Sequence, residues 1–167
     1  MNIAIIGLGF VGLTLSLSLA DRGFKIYGVE INRDTLDKIN NKVPTINEYG
    51  IKEILERTLG KTFFPVMELE ELSEQPNTFI ICVETPVVDG VPNTTYVTNA
   101  VKTVTKYMNG NELIILRSTC PVGVTEKYVI PIIEDGLKQR NVNIDTTLNI
   151  VYAPERTAEG IALQELG

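Results

Sequence analysis

The sequence predicts a doubly wound α/β fold, with a mainly parallel sheet of about six strands and helices on both faces. Three observations carry that expectation. Short apolar, β-rich runs alternate with longer segments of helical periodicity along the chain. The runs are continuously apolar, as strands covered on both faces must be. The first of them ends directly in Gly7-Leu8-Gly9-Phe10-Val11-Gly12, where a helical pattern opens at once.

Taken in order, the first strand is Asn2–Ile6, followed by a helix over Val11–Arg22. Gly23 then stands where a left-handed C-cap belongs. The run Lys25–Val29 is the second strand, and helical spacing returns over Arg33–Asn40 and Ile51–Thr58. Phe63–Val66 reads as a weaker strand, and Thr78–Val83 as a strong one. Tyr96–Met108 has helical spacing, Glu112–Leu116 is the next strand, and Thr125–Gln139 the last long helix. Pro131 lies inside that helix and is expected to kink it. Leu148–Tyr152 closes the set as a strand, with all crossovers of one hand.

Composition excludes several function classes. At 167 residues the chain is read as one domain, residues 1–167. With 44% apolar residues it can bury a core. A net charge of −6 and the lack of a basic cluster argue against a nucleic-acid partner. No apolar run approaches a membrane span, and core sequence begins at residue 3, which points to a cytoplasmic protein without a targeting segment. Two cysteines, Cys82 and Cys120, make no disulfide framework and fit a reducing compartment. There is no histidine, so the general base of many alcohol dehydrogenases is missing and no metal site is expected.

The glycine segment makes the fold Rossmann-like and points to a dinucleotide. Gly7 allows a tight strand-to-helix turn, Gly9 lets the backbone approach a pyrophosphate, and Gly12 lets helix and strand pack closely. The N–H groups at the helix start, around Phe10 and Val11, are offered to the anion. An acid, Glu30, follows the second strand about 20 residues on, where it would bond the adenosine ribose hydroxyls. A 2′-phosphate about 4 Å from that carboxylate would be repelled by roughly 4 kcal/mol per unit charge at an effective dielectric near 20. Arg33 softens this repulsion without removing it. The cofactor expected is therefore NAD rather than NADP.

Ligands of such sheets bind outside the carboxyl ends of the strands. Thr85 follows the third strong strand, Ser118 and Thr119 the fourth, and Glu155 the last, with Glu159 close behind. Ser118 and Thr119 precede Pro121, so helix capping and a functional role both remain open for their hydroxyls. Cys120 has no evident base and reads as packing, as does Cys82. Glu155 and Glu159 share one face if their segment is helical, and Arg156 is a ready partner for Glu155.

Together, Gly7–Gly12, Glu30, Cys82-Val83-Glu84-Thr85-Pro86, Ser118-Thr119-Cys120-Pro121-Val122-Gly123 and Pro154-Glu155-Arg156-Thr157-Ala158-Glu159-Gly160 resemble the N-terminal NAD-binding domain of the nucleotide-sugar dehydrogenases. That is the UDP-glucose and UDP-N-acetyl-D-mannosamine dehydrogenase family, and the resemblance runs over the whole chain. It departs from the usual pattern at Glu84, where proline is common, and at Cys120, where an aliphatic residue is.

The resemblance implies oxidation of a sugar C6 hydroxyl to a carboxylate in two NAD-dependent steps, through a thiohemiacetal on a cysteine. It implies that Thr119 positions a catalytic water and contacts the cofactor, that Glu155 has a water or acid/base role, and that Thr85 and Glu159 contact the cofactor. In such enzymes the catalytic cysteine, a lysine and an asparagine come from central and C-terminal domains, which this chain lacks. It is expected to bind NAD without turnover, as part of a homodimeric, UDP-sugar-oxidising parent. The alternatives are a stand-alone NAD-binding or interaction module, and the cofactor domain of a β-hydroxyacid-type dehydrogenase.

Overall fold

The first strand, β1 (Asn2–Ile6), becomes a central strand because the chain pairs on both sides of it. Strand β2 (Lys25–Val29) joins one edge and β4 (Thr78–Ile81) the other, both parallel, with Ile3 opposite Ile26 and Thr78. Outside these lie β3 (Phe63–Val66) beside β2, and β7 (Leu113–Leu116) then β8 (Asn149–Tyr152) beyond β4. The resulting six-stranded parallel sheet has the order β3-β2-β1-β4-β7-β8. Its order reverses between β1 and β4, which opens a crevice at their carboxyl ends. This computed structural model describes residues 1–142, 148–155, 160 and 162–165.

Alternate residues of each strand feed two cores. Ile3, Ile5, Ile26 and Ile80 face Leu13 and Leu17 of α1 (Phe10–Asp21), Ile39 of α2 (Arg33–Asn40) and Leu55 of α3 (Ile51–Thr58). Ala4, Ile6, Phe79, Ile81 and Ile114 face Val97 and Val101 of α4 (Thr95–Thr105), and Ile133 and Leu137 of α5 (Ile130–Gln139). Helices thus cover both faces, as the continuous apolar runs require. The short α6 (Ala162–Glu165) touches α1.

The helix ends follow local chemistry. Gly23, at φ 90°, donates its N–H to Ala20 O, and Phe24 donates to Leu19 O, which is the expected left-handed cap. Helix α2 ends the same way, but with Lys42 at φ 61°. Its N–H meets Ile39 O at 2.9 Å and that of Val43 meets Lys38 O at 2.8 Å. A side chain is strained in that conformation. Lys42→Gly is accordingly expected to raise stability by about 0.5 kcal/mol in urea denaturation, the relief exceeding the added chain entropy.

Two strand bounds need correction, at Glu112 and Val83, whereas Pro131 lies inside a continuous helical stretch, Thr125–Gln139, as expected. A π-helical turn, Thr125–Val129, precedes the proline, and α5 starts at Ile130 with Pro131 in its first turn. A proline has no N–H to give and its ring collides with the carbonyl four residues back, so the ladder changes register ahead of it. Glu112 is not a strand residue. Its buried carboxylate gathers the N–H groups of Asn109, Gly110 and Asn111 at 2.9–3.1 Å, and β7 begins one residue later. Strand β4 stops at Ile81 rather than Val83, because β1 turns away at Gly7 and leaves Val83 without a ladder partner on that side. A hairpin not foreseen, β5 (Val87–Val88) and β6 (Val91–Pro92), follows it around Asp89 and Gly90, both at positive φ.

Candidate functional site

The glycine turn is built by close backbone packing at the β1–β4 crevice. Gly7 sits at φ 92° and donates its N–H to Val29 O at 2.8 Å. A Cβ on Gly7 would lie 2.9 Å from Cys82 O, and one on Gly12 would lie 1.8 Å from Gly7 O. Both glycines are therefore required by the fold. Gly9 differs. Its φ is −68° and a Cβ there would meet nothing within 4 Å. The protein has no internal need of glycine at this position; the open space over it is a cradle that a side chain would fill. Gly9 also caps α1 without a side-chain hydrogen bond, and no acid occupies the first turn. The N–H groups of Phe10, Val11 and Gly12 thus begin the helix beside that space, with the positive end of its dipole.

Glu30 lies directly after β2 and acts on the same turn. One carboxylate oxygen accepts the Leu8 N–H at 2.9 Å and the other the Asn32 N–H at 2.8 Å. The carboxylate is thus held between the glycine loop and the start of α2, with lone pairs to spare for ribose hydroxyls. Asn32 in turn caps α2 by accepting the Thr35 N–H, which leaves Arg33 exposed on the first turn. The bond to Leu8 escaped sequence reasoning. Its signal was the matching of Ile6 with Val29 in adjacent strands, which places residue 8 near residue 30.

The third, fourth and last strand ends meet beside this turn through hydrogen bonds between loops. Thr85 Oγ1 donates to Thr119 O at 2.7 Å, and Ser118 Oγ to Val83 O at 2.6 Å. Neither Ser118 nor Thr119 caps a helix, since Gly123, at φ 87°, intervenes before the helical turn. Thr119 itself is exposed. Glu155 pairs with Arg117, whose Nη1 also donates to Ala153 O at 3.1 Å. Arg117 directly follows β7 and Glu155 stands three residues after β8, and the pairing of those two strands brings the charges together. Glu159 and Arg156 lie outside the described residues.

Neither thiol is prepared for nucleophilic work. Burial pushes the Cys82 thiol up to about 12, with Arg117 pulling down and Glu155 adding to the rise. Burial likewise raises the Cys120 thiol. Among the described residues no cluster of acids, cysteines and histidines could hold a metal, and no helix is long and apolar enough to cross a membrane. Two surface concavities, one lined by Leu69, Ser73 and Tyr107 and the other by Tyr27, Phe64 and Gly60, include no residue of the glycine turn. The candidate site is an open shelf along the carboxyl edge of the sheet.

An uncapped helix start over an open glycine, at the switch point of a parallel sheet and flanked by a strand-end carboxylate, defines a dinucleotide-binding domain of the Rossmann class. Comparison with known proteins narrows the class. The model of the UDP-glucose/GDP-mannose dehydrogenase family, NAD binding domain, matches residues 1–167, and the chain belongs to that family. The UDP-N-acetyl-D-mannosamine dehydrogenase of Pyrococcus horikoshii is 34% identical over 99% of this chain and 39% of its own length. That of Escherichia coli K12 is 31% identical over 99% of this chain and 40% of its own. A solved structure of UDP-D-ManNAc dehydrogenase from Pyrococcus horikoshii superposes with a TM-score of 0.86 at 32% identity, covering 99% of this chain and 38% of that one. The chain thus spans about two fifths of the length of the curated relatives it matches.

Proposed function

We propose that this chain supplies the cofactor site of an NAD-dependent nucleotide-sugar 6-dehydrogenase acting on a UDP-sugar, with UDP-N-acetyl-D-mannosamine the first substrate to try. The observation that carries the reading is the open Gly9 beside the free start of α1, with the Glu30 carboxylate fixed at its edge. In this reading Gly7, Gly9, Phe10, Val11 and Gly12 hold the pyrophosphate, and Glu30 the adenosine ribose, with Arg33 beside it. Thr85, Thr119 and Glu159 complete the cofactor contacts. NAD held there would supply the hydride acceptor for oxidation at the sugar C6 carbon. Thr119 holds a water by its exposed hydroxyl, and Glu155, kept in place by Arg117, accepts or returns a proton at that water. The working protein is proposed to be a cytoplasmic homodimer.

Two experiments test this. The first concerns Glu30, whose charge-assisted bonds are each worth about 1.5–3 kcal/mol. Glu30→Ala is expected to weaken NAD binding at least about tenfold by calorimetry. Unchanged affinity would remove Glu30 from the site. The second reads the gene beyond codon 167. A continuing frame with a Gly-Gly-Pro-Cys-like segment, whose product forms NADH from the UDP-sugar, supports the dehydrogenase; a stop codon there contradicts it.

A further inference from the structure

We propose that Tyr152 is a positioning residue for Thr119, its hydroxyl fixing the peptide that presents the Thr119 side chain to the cofactor. The proposal rests on the reading of Thr119 given above. Tyr152 ends β8, the outermost strand, and stays 43% exposed, so burial of its ring does not account for a tyrosine there. Its hydroxyl reaches the loop after β7 and meets both backbone groups of one residue. The Cys120 N–H donates to it at 3.0 Å, and it donates to the Cys120 carbonyl at 3.1 Å. One hydroxyl can do both at once, because it carries a donor and two acceptor lone pairs.

The loop is held from the opposite side as well. Thr85 Oγ1 donates to Thr119 O at 2.7 Å, and Ser118 Oγ to Val83 O at 2.6 Å. The backbone of residues 118–120 is thus tied to the end of β4 on one flank and to β8 on the other. Thr119 is the most exposed of the three, with Ser118 buried and Cys120 half-buried. A loop without ladder partners would otherwise have to be ordered by its ligand, and the affinity would fall by that entropy. Tyr152 also lies three residues before Glu155, so the same tie sets the two candidate catalytic groups in one frame.

The test is a double-mutant cycle on NAD affinity, measured by calorimetry with each variant checked for folding by its thermal melt. Thr119→Val and Tyr152→Phe are each expected to weaken NAD about three- to tenfold. The double variant is expected to bind within about twofold of the weaker single, because Tyr152 acts through Thr119. A merely structural tyrosine would weaken the Thr119→Val protein as much as the wild type. Multiplying effects, or a Tyr152→Phe protein that binds normally while Thr119→Val does not, overturns the proposal and leaves the reading of the site intact. Loss of effect in Thr119→Val overturns both. Amide exchange supplies an independent readout: the Cys120 N–H should be protected in the wild type, and an unprotected Cys120 overturns the proposal even if the Phe variant fails to fold.

Discussion

Gly12→Ala is expected to destabilise the protein by more than about 3 kcal/mol and to abolish NAD binding with it. The methyl group would stand 1.8 Å from Gly7 O and 2.9 Å from Gly7 C. Both are backbone atoms, so no side chain can rotate away. Gly7 cannot retreat either, since its N–H is bound to Val29 O and it already lies against Cys82 O. Relief requires α1 to lift from the sheet, which uncovers Leu13 and Leu17, both fully buried. Gly9→Ala is the control. Its methyl group meets nothing within 4 Å and its backbone angles suit any residue, so the fold should hold within about 0.5 kcal/mol. NAD affinity should nevertheless fall more than about tenfold, because the methyl group fills the space where a pyrophosphate must approach. Urea denaturation and calorimetry on the two variants separate a glycine needed for folding from one needed for the ligand.

Arg117→Met is expected to destabilise the protein by about 2–3 kcal/mol. It removes one partner of Glu155, whose side chain keeps only 11% of its surface against 21% for Arg117. The carboxylate then loses its charged hydrogen bond to the guanidinium while most of its surface stays out of water, so the loss exceeds that of an exposed pair. The same substitution frees the Ala153 carbonyl from the Arg117 Nη1 and so loosens the turn after β8. Adding Glu155→Gln should recover about 1 kcal/mol in denaturation experiments, because a neutral amide costs less than a carboxylate to keep out of water. Should the double variant prove less stable than Arg117→Met alone, the desolvation account fails.

Much of the fold was legible because the strand signals are strong and local. The runs ending in Ile6 and Val29 are continuously apolar and bounded by turn residues, so they declare buried parallel strands without tertiary information. Gly23 announces its cap in the same local way. Competition between two local signals was harder to read. Asp89-Gly90 calls for a hairpin between Val88 and Val91, but Pro92 argues against a strand, and the hairpin formed at an edge where a missing N–H is harmless. Pro131 likewise announces a disturbance of its helix but not its form, which is a π-helical turn at Thr125–Val129 just ahead of it.

The candidate site divides along the same line. Gly7, Gly9, Gly12 and Glu30 are legible from spacing because one strand–helix–strand unit, β1 to β2, carries them. The ties among Thr85, Thr119, Tyr152, Arg117 and Glu155 join residues about 32–38 positions apart, bonds that no local pattern encodes. They become visible only when the sheet order puts β4, β7 and β8 side by side.

The most direct test of the central claim is a calorimetric titration of the protein with NAD and, separately, with NADP. The account predicts saturable binding of NAD, and NADP weaker by at least about a hundredfold, because the 2′-phosphate must approach the fixed Glu30 carboxylate. Equal binding of the two cofactors, or no binding of NAD, would contradict it.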